Sequence, residues 1–188
     1  MMTMALAEPT PQSLARNMKP PKPPSLASTS FSIPRTAGLA LQADCRRLGL
    51  QLDAALSLPG AATGSYTAVL DEAGHMQLAL AQMAVTETLG PDHLRQTAAL
   101  RTTASLTVLD LNLPADSLAL LLQEALAHGR QLLAVAVSVP KMTRLPADLR
   151  GLHTLLLNRE ELAALVGRPL AERADCEQAF GQLRQRGL

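Results

Sequence analysis

The chain has 188 residues, 47% of them hydrophobic, with 17 Lys and Arg against 16 Asp and Glu, which suits one globular domain with a substantial core. A net charge of +1 sets up no field that would draw in nucleic acid or an anionic membrane surface. One Tyr, two Phe and no Trp leave almost nothing for bases to stack on, so nucleic-acid binding is disfavoured.

Cys45 and Cys176 are far apart and neither sits in a paired Cys or Cys/His cluster of zinc-binding spacing; reduced thiols are expected. The four His are scattered, and no metal site is assigned to them. No basic flank leads into an apolar h-region and no apolar stretch is long enough to span a bilayer. The expectation is a cytoplasmic protein with no membrane partner.

Residues 1–38 are rich in Pro, Ser and Thr around Lys19-Pro20-Pro21-Lys22-Pro23-Pro24. Proline removes donors and disfavours helix in the residue before it, so this reads as an irregular or disordered segment, with the α/β domain over 39–188. Residues 39–48 place Leu39, Leu41 and Leu48 among charges, an amphipathic helix ended by Gly49. A short strand is expected at 56–58. A turn at Pro59-Gly60 leads to a strand over 63–70 that pairs with 76–80 as a hairpin across Asp71-Glu72-Ala73-Gly74. Residues 86–97 read as helix, with Pro91 forming a new start.

Three short apolar runs follow, at 106–111, 132–137 and 152–157. Such continuous runs suit parallel strands buried on both faces. Between the first two, Leu118, Leu121, Leu122 and Ala125 fill one helical face that stops at Gly129. After the third, Leu162, Leu165 and Val166 recur at helical spacing, and 171–186 forms a last polar helix. The pattern predicts adjacent parallel strands with helices packed on the sheet. Asp110, Asn112, Ser138 and Lys141 then fall at carboxyl strand ends, where open α/β sheets bind ligands.

Asn158 and Glu161 carry two readings. Asn as N-cap and the acid three residues on form a capping box. The same pair also puts a carboxylate and an amide at the end of a strand, where Mg²⁺ and phosphate chemistry is usually sited. Neither excludes the other.

Taken in order, Val137-Ser138-Val139-Pro140-Lys141, Leu152-His153-Thr154-Leu155 and Asn158-Arg159-Glu160-Glu161-Leu162 resemble the ribokinase-like (PfkB) carbohydrate kinases, and within them the pseudouridine kinase branch. The order Pro59-Gly60, Thr63-Gly64-Ser65-Tyr66 and Asp71-Glu72-Ala73-Gly74 is similar to the part of those enzymes that builds the sugar-covering lid. Ser13-Leu14-Ala15-Arg16-Asn17 resembles the segment with which the family contacts its sugar, without its glycines.

The resemblance implies a partial ribokinase-like fold, a mostly parallel sheet with helices on both faces and a hairpin lid. It implies ATP and Mg²⁺ as cofactors, with Asn158 and Glu161 near metal and phosphates. Asn17, Ser65, Tyr66 and Asn112 would contact a sugar or pseudouridine-like nucleoside, with Asp110, Ser138 and Lys141 as further rim residues and a homodimer formed through the lid.

The family's Gly-Ala-Gly-Asp turn, which supplies base and anion hole, has no counterpart here, so no catalytic residue is assigned; a Walker A sequence is also absent. Its opening strand with a sugar-holding Asp is likewise not legible, as though the reading frame were disturbed between Asn17 and Leu39. The family's Asp-Pro-Val-Ser reads Val135-Ala136-Val137-Ser138, its Lys-Pro-Asn reads Leu156-Leu157-Asn158, and Gln82 stands where an Asp is expected. Two functions remain open: a nucleoside or carbohydrate kinase, truncated and catalytically incomplete, or a degenerate non-catalytic α/β domain that binds a small ligand or partner.

Overall fold

The computed structural model describes residues 35–188, which fall into two compact units, 35–85 and 86–188.

The first unit opens with α1, Arg35–Arg47, which starts four residues before the expected boundary. The helix ends in backbone bonds from Leu48 to Asp44 and from Leu50 to Cys45, both 3.0 Å. Residues 56–58 are not a strand: among the described residues no segment pairs with them in a hydrogen-bonded ladder, and a short apolar run without one gains nothing from extension. The turn at Pro59-Gly60 does form, closed by Ala61 N–H on the Leu58 carbonyl at 3.2 Å.

Strands β1, Ser65–Leu70, and β2, Met76–Gln82, pair antiparallel, with an irregularity between Val69 and Leu70. Asp71 organises the connection. Its Oδ1 accepts from the N–H groups of Ala73 at 3.0 Å and His75 at 2.8 Å, and its Oδ2 accepts from Gln77 at 2.9 Å. The His75 N–H is the leading cause of an Asp71 carboxyl held below the usual range.

Of the helix expected over 86–97 in the second unit, the new start at Pro91 forms as the short α2, Pro91–Gln96, while the part before it is a 3₁₀ turn, Ala84–Thr88. Pro91 explains the break, since it drives Gly90 to extended geometry at ψ 174°. A further short helix, α3, Ala98–Thr103, follows directly. Between them Thr97 turns its hydroxyl back onto the carbonyls of His93 and Leu94, at 3.0 and 3.2 Å, competing with helix continuation.

The centre of this unit is a three-stranded parallel sheet in the order β3, Leu106–Asp110, then β4, Gln131–Val135, then β5, Thr154–Leu156. Helix α4, Ala115–His128, joins β3 to β4 and closes at Gly129, whose φ of 61° is left-handed. Helices α5, Arg159–Val166, and α6, Arg173–Gln185, complete the chain.

One sheet face, carrying Leu109, Leu132, Ala134 and Leu155, is buried in a single cluster with Leu118 of α4, Leu162 of α5 and Leu183 of α6. On the other face Val108 is 62% exposed and Val135 is also exposed. The strands are therefore buried on one face, not two, and burial alternates along β4 with the period-2 geometry of a strand. Strand β4 stops at Val135, short of 137, and β5 covers three residues of the expected six.

Gly151, at φ 96°, lies so close to α4 that a Cβ there would sit 2.1 Å from the Leu122 carbonyl oxygen. The end of α6 is tied to the segment before Gly151: Leu149 N–H donates to the Arg186 carbonyl at 2.7 Å, and Arg186 donates to the carbonyls of Pro146 and Ala147.

Candidate functional site

Because β3, β4 and β5 run parallel, their carboxyl ends share one edge of the sheet. That edge collects six of the residues expected from the sequence: Asp110 and Asn112 after β3, Ser138 and Lys141 after β4, Asn158 and Glu161 after β5. Ser65 and Tyr66 belong to the hairpin of the other unit, where the Tyr66 hydroxyl lies 3.3 Å from the Met76 sulfur. Asn17 lies outside the described residues.

After β3 the chain closes an Asx turn. Asp110 Oδ1 accepts from Asn112 N–H at 2.9 Å and Oδ2 from Asn112 Nδ2 at 3.1 Å. An Asn amide carries two donor hydrogens and an acceptor oxygen, so Asn112 keeps Oδ1 and one N–H for another partner.

After β4 the backbone turns sharply. Ser138 N–H donates to the Ala136 carbonyl at 2.9 Å around Val137, whose φ is 72°. This is the rarer, strained form of γ-turn, and a β-branched residue is the least suited to it. Ser138 itself is extended and precedes a 3₁₀ turn, Val139–Arg144, in which Lys141 N–H donates to the Ser138 carbonyl at 3.0 Å.

After β5 the capping box forms in full. Glu161 N–H donates to Asn158 Oδ1 and Asn158 N–H donates to Glu161 Oε2, both at 2.8 Å. Glu161 is 5% exposed. The structural reading of the pair holds, and it leaves Glu161 Oε1 outside the cap. A single carboxylate oxygen fits a Mg²⁺ ion, which takes one or two protein carboxylates and completes its shell with phosphates and water. No group of three or more His, Cys, Asp or Glu that could form a cage occurs among the described residues.

Arg144 was not among the expected site residues. Its Nη1 donates to the carbonyls of Asn112 at 2.7 Å and Leu113 at 2.9 Å, and its Nη2 pairs with Glu87. One guanidinium thus joins the turn after β3 to the segment before α2. Ser117, fully buried in the first turn of α4, reinforces that join by donating to the Leu89 carbonyl at 2.7 Å. The sequence signal for Arg144 was a cation flanked by Met142 and Leu145, both buried; its targets, backbone carbonyls, have no signature.

The three-stranded parallel sheet with its helices is an α/β fold of the ribokinase-like class, as its likeness to solved carbohydrate kinases shows. The chain is a member of the pfkB family of carbohydrate kinases, whose model matches residues 34–188. It is 29% identical over 151 residues to the pseudouridine kinase of Escherichia coli (strain K12), covering 80% of this chain and 48% of that protein.

Among solved structures, a carbohydrate kinase from Agrobacterium tumefaciens superposes with a TM-score of 0.68 at 29% identity, covering 81% of this chain and 48% of that one. A proposed sugar kinase from Clostridium perfringens gives 0.64 at 25% identity with the same coverage. The chain therefore spans about half the length of the relatives it matches.

Proposed function

We propose that this chain is part of a nucleoside or sugar kinase of the pseudouridine kinase type, which moves the terminal phosphoryl of ATP to a sugar hydroxyl. What supports the reading is the gathering of Asn112, Lys141 and Glu161 at one carboxyl edge, together with the family match. In that reading Asn112 meets sugar hydroxyls and Lys141 meets phosphate oxygens. Asn158 and Glu161 hold the loop that faces the metal, and Glu161 Oε1 would bind it. Mg²⁺, when bound, would neutralise charge on the phosphates.

Activating the hydroxyl needs a base, and meeting the developing charge needs preorganised donors. The family resemblance assigns both to a Gly-Ala-Gly-Asp turn, and these 188 residues contain none. Losing even one such donor costs about two to three powers of ten in rate, so the 188 residues alone are expected to transfer no phosphate.

The hairpin supports a further part of the reading. Leu80 is 61% exposed, and Leu78 and Val69, on the same face of the hairpin, are exposed beside it, while a two-stranded hairpin is marginal in water alone. A lid that pairs with the lid of a second copy would cover them, and sedimentation of wild type against Leu78→Lys tests this.

A second reading, a non-catalytic ligand-binding domain, is favoured by one feature: Val135 and Ala136 stand where the family's Asp-Pro-Val-Ser carries its Asp and Pro, and Val135 is exposed. Phosphate transfer is the test, using Mg-ATP and a panel of nucleosides and sugars, with and without the C-terminal half of the E. coli pseudouridine kinase as a separate polypeptide. The kinase reading expects turnover only in the mixture. Nucleoside binding without turnover in either case would favour the second reading. Turnover by the chain alone that vanishes in Glu161→Ala would overturn the assignment of the base to other residues.

A further inference from the structure

We propose that Arg144 is a positioning residue for substrate: by clamping the Asn112 and Leu113 carbonyls to Glu87, it fixes the Asn112 amide at the carboxyl edge for paired hydroxyls of a sugar. This rests on the kinase reading above and adds a specific residue and contact to it.

The hydrogen-bond inventory of Asn112 carries the argument. Its backbone N–H and one amide hydrogen are taken by Asp110, and its carbonyl is taken by Arg144. What remains is one donor and one acceptor on the same planar amide. A vicinal diol offers the complementary pair, since each hydroxyl both donates and accepts. Such a contact discriminates only if the amide is held still, because a misplacement of about 1 Å is enough to cost roughly a hundredfold in a positioned site.

The Asx turn by itself is local, tying Asn112 only to Asp110 two residues back at the end of β3. Arg144 supplies the external anchor. Its two carbonyl bonds span 32 and 31 residues of sequence, and the Glu87 pair spans 57. The planar fork of Arg makes these bonds at once; the single ammonium of Lys cannot reproduce the geometry.

The test follows the side-chain amide signals of Asn112 by NMR while the 188-residue chain is titrated with pseudouridine, with uridine and ribose in parallel. Wild type is expected to show saturable shifts at Asn112. Arg144→Lys is expected to weaken pseudouridine binding about tenfold. In an Asn112→Ala background, with binding read from the ligand signals, the same substitution is expected to cost nothing further, because the residue it positions is gone.

Arg173→Ala, on the exposed side of α6, serves as control and leaves binding unchanged. Should Arg144→Lys fail to fold, Glu87→Gln carries the same test with a smaller factor. A full loss from Arg144→Lys in the Asn112→Ala background would overturn the positioning role, as would unaltered binding in Arg144→Lys. No response of wild type to any of the three ligands would instead overturn the sugar-binding reading itself, and Arg144 would have no substrate to position.

Discussion

Asn158 and Glu161 satisfy each other reciprocally, each backbone N–H bonded at 2.8 Å to the other's side-chain oxygen. A Gln at 161 keeps an oxygen for the Asn158 N–H and gives up only the charge at the helix start. Glu161→Gln should therefore lose about 0.3–1 kcal/mol, the usual worth of a carboxylate at a helix N-terminus. Glu161→Ala loses that and one half of the capping box as well, about 0.5–2 kcal/mol more. Urea unfolding of the two variants checks the order. Equal losses would mean that the bond from Asn158 N–H adds nothing.

Gly151 and Gly129 both hold left-handed backbone, at φ 96° and 61°, but only Gly151 is crowded. For Gly129→Ala the cost is the left-handed strain alone, about 1–2 kcal/mol. For Gly151→Ala the new Cβ also meets the Leu122 carbonyl, so the loop must move off α4. The expected loss is about 3 kcal/mol or more. Thermal unfolding of the pair decides whether that close approach exists in solution.

Val137 predicts the opposite sign. Its side chain is 47% exposed, so little burial is lost on truncation, while its backbone sits at φ 72°. Val137→Gly should relieve about 1–2 kcal/mol of left-handed strain against about 0.5–1 kcal/mol of added chain entropy. A neutral to slightly raised melting temperature is expected. A drop of several degrees would show that the turn is not strained as described.

Asp148 sets an acid window. The Arg150 guanidinium, and then the Arg150 backbone N–H, hold its carboxyl down from an ordinary 3.8 to about 2. A depressed folded pKa stabilises the fold above the unfolded value and loses that contribution as pH falls through the folded one. The part due to Asp148 should thus fade between pH 4 and pH 2. Asp148→Asn should flatten stability against pH in that interval, and a slope identical to wild type would contradict it.

Much of the second unit was legible because its signals are local. The stripe of Leu118, Leu121 and Leu122 ending at Gly129 is a helix in any surroundings that bury one face, and the Asn158 cap spans only three residues. The order of the three apolar runs was also enough to suggest parallel pairing, since each pair is separated by a connection long enough for a crossover.

Residues 56–58 show the limit. Apolar content alone cannot make a strand, because a strand exists only where another backbone completes its hydrogen bonds, and that partner is a property of the tertiary arrangement. Burial of β4 on one face rather than two is the same kind of fact: Leu133 and Val135 look no different from Leu132 and Ala134 until the packing around them is known.

The amino-acid sequence by itself determined the parallel α/β pattern, the capping box and the family likeness, all of which rest on near-neighbour spacing and residue order. Only the tertiary structure decided which carbonyls Arg144 reaches, that Val137 turns the chain at positive φ, and that Gly151 must lie against Leu122. The Arg144 and Gly151 contacts depend on backbone atoms far apart in the chain, and the Val137 turn on a backbone bond between Ala136 and Ser138; every residue presents the same carbonyl and N–H, so no side-chain pattern can announce which will be met.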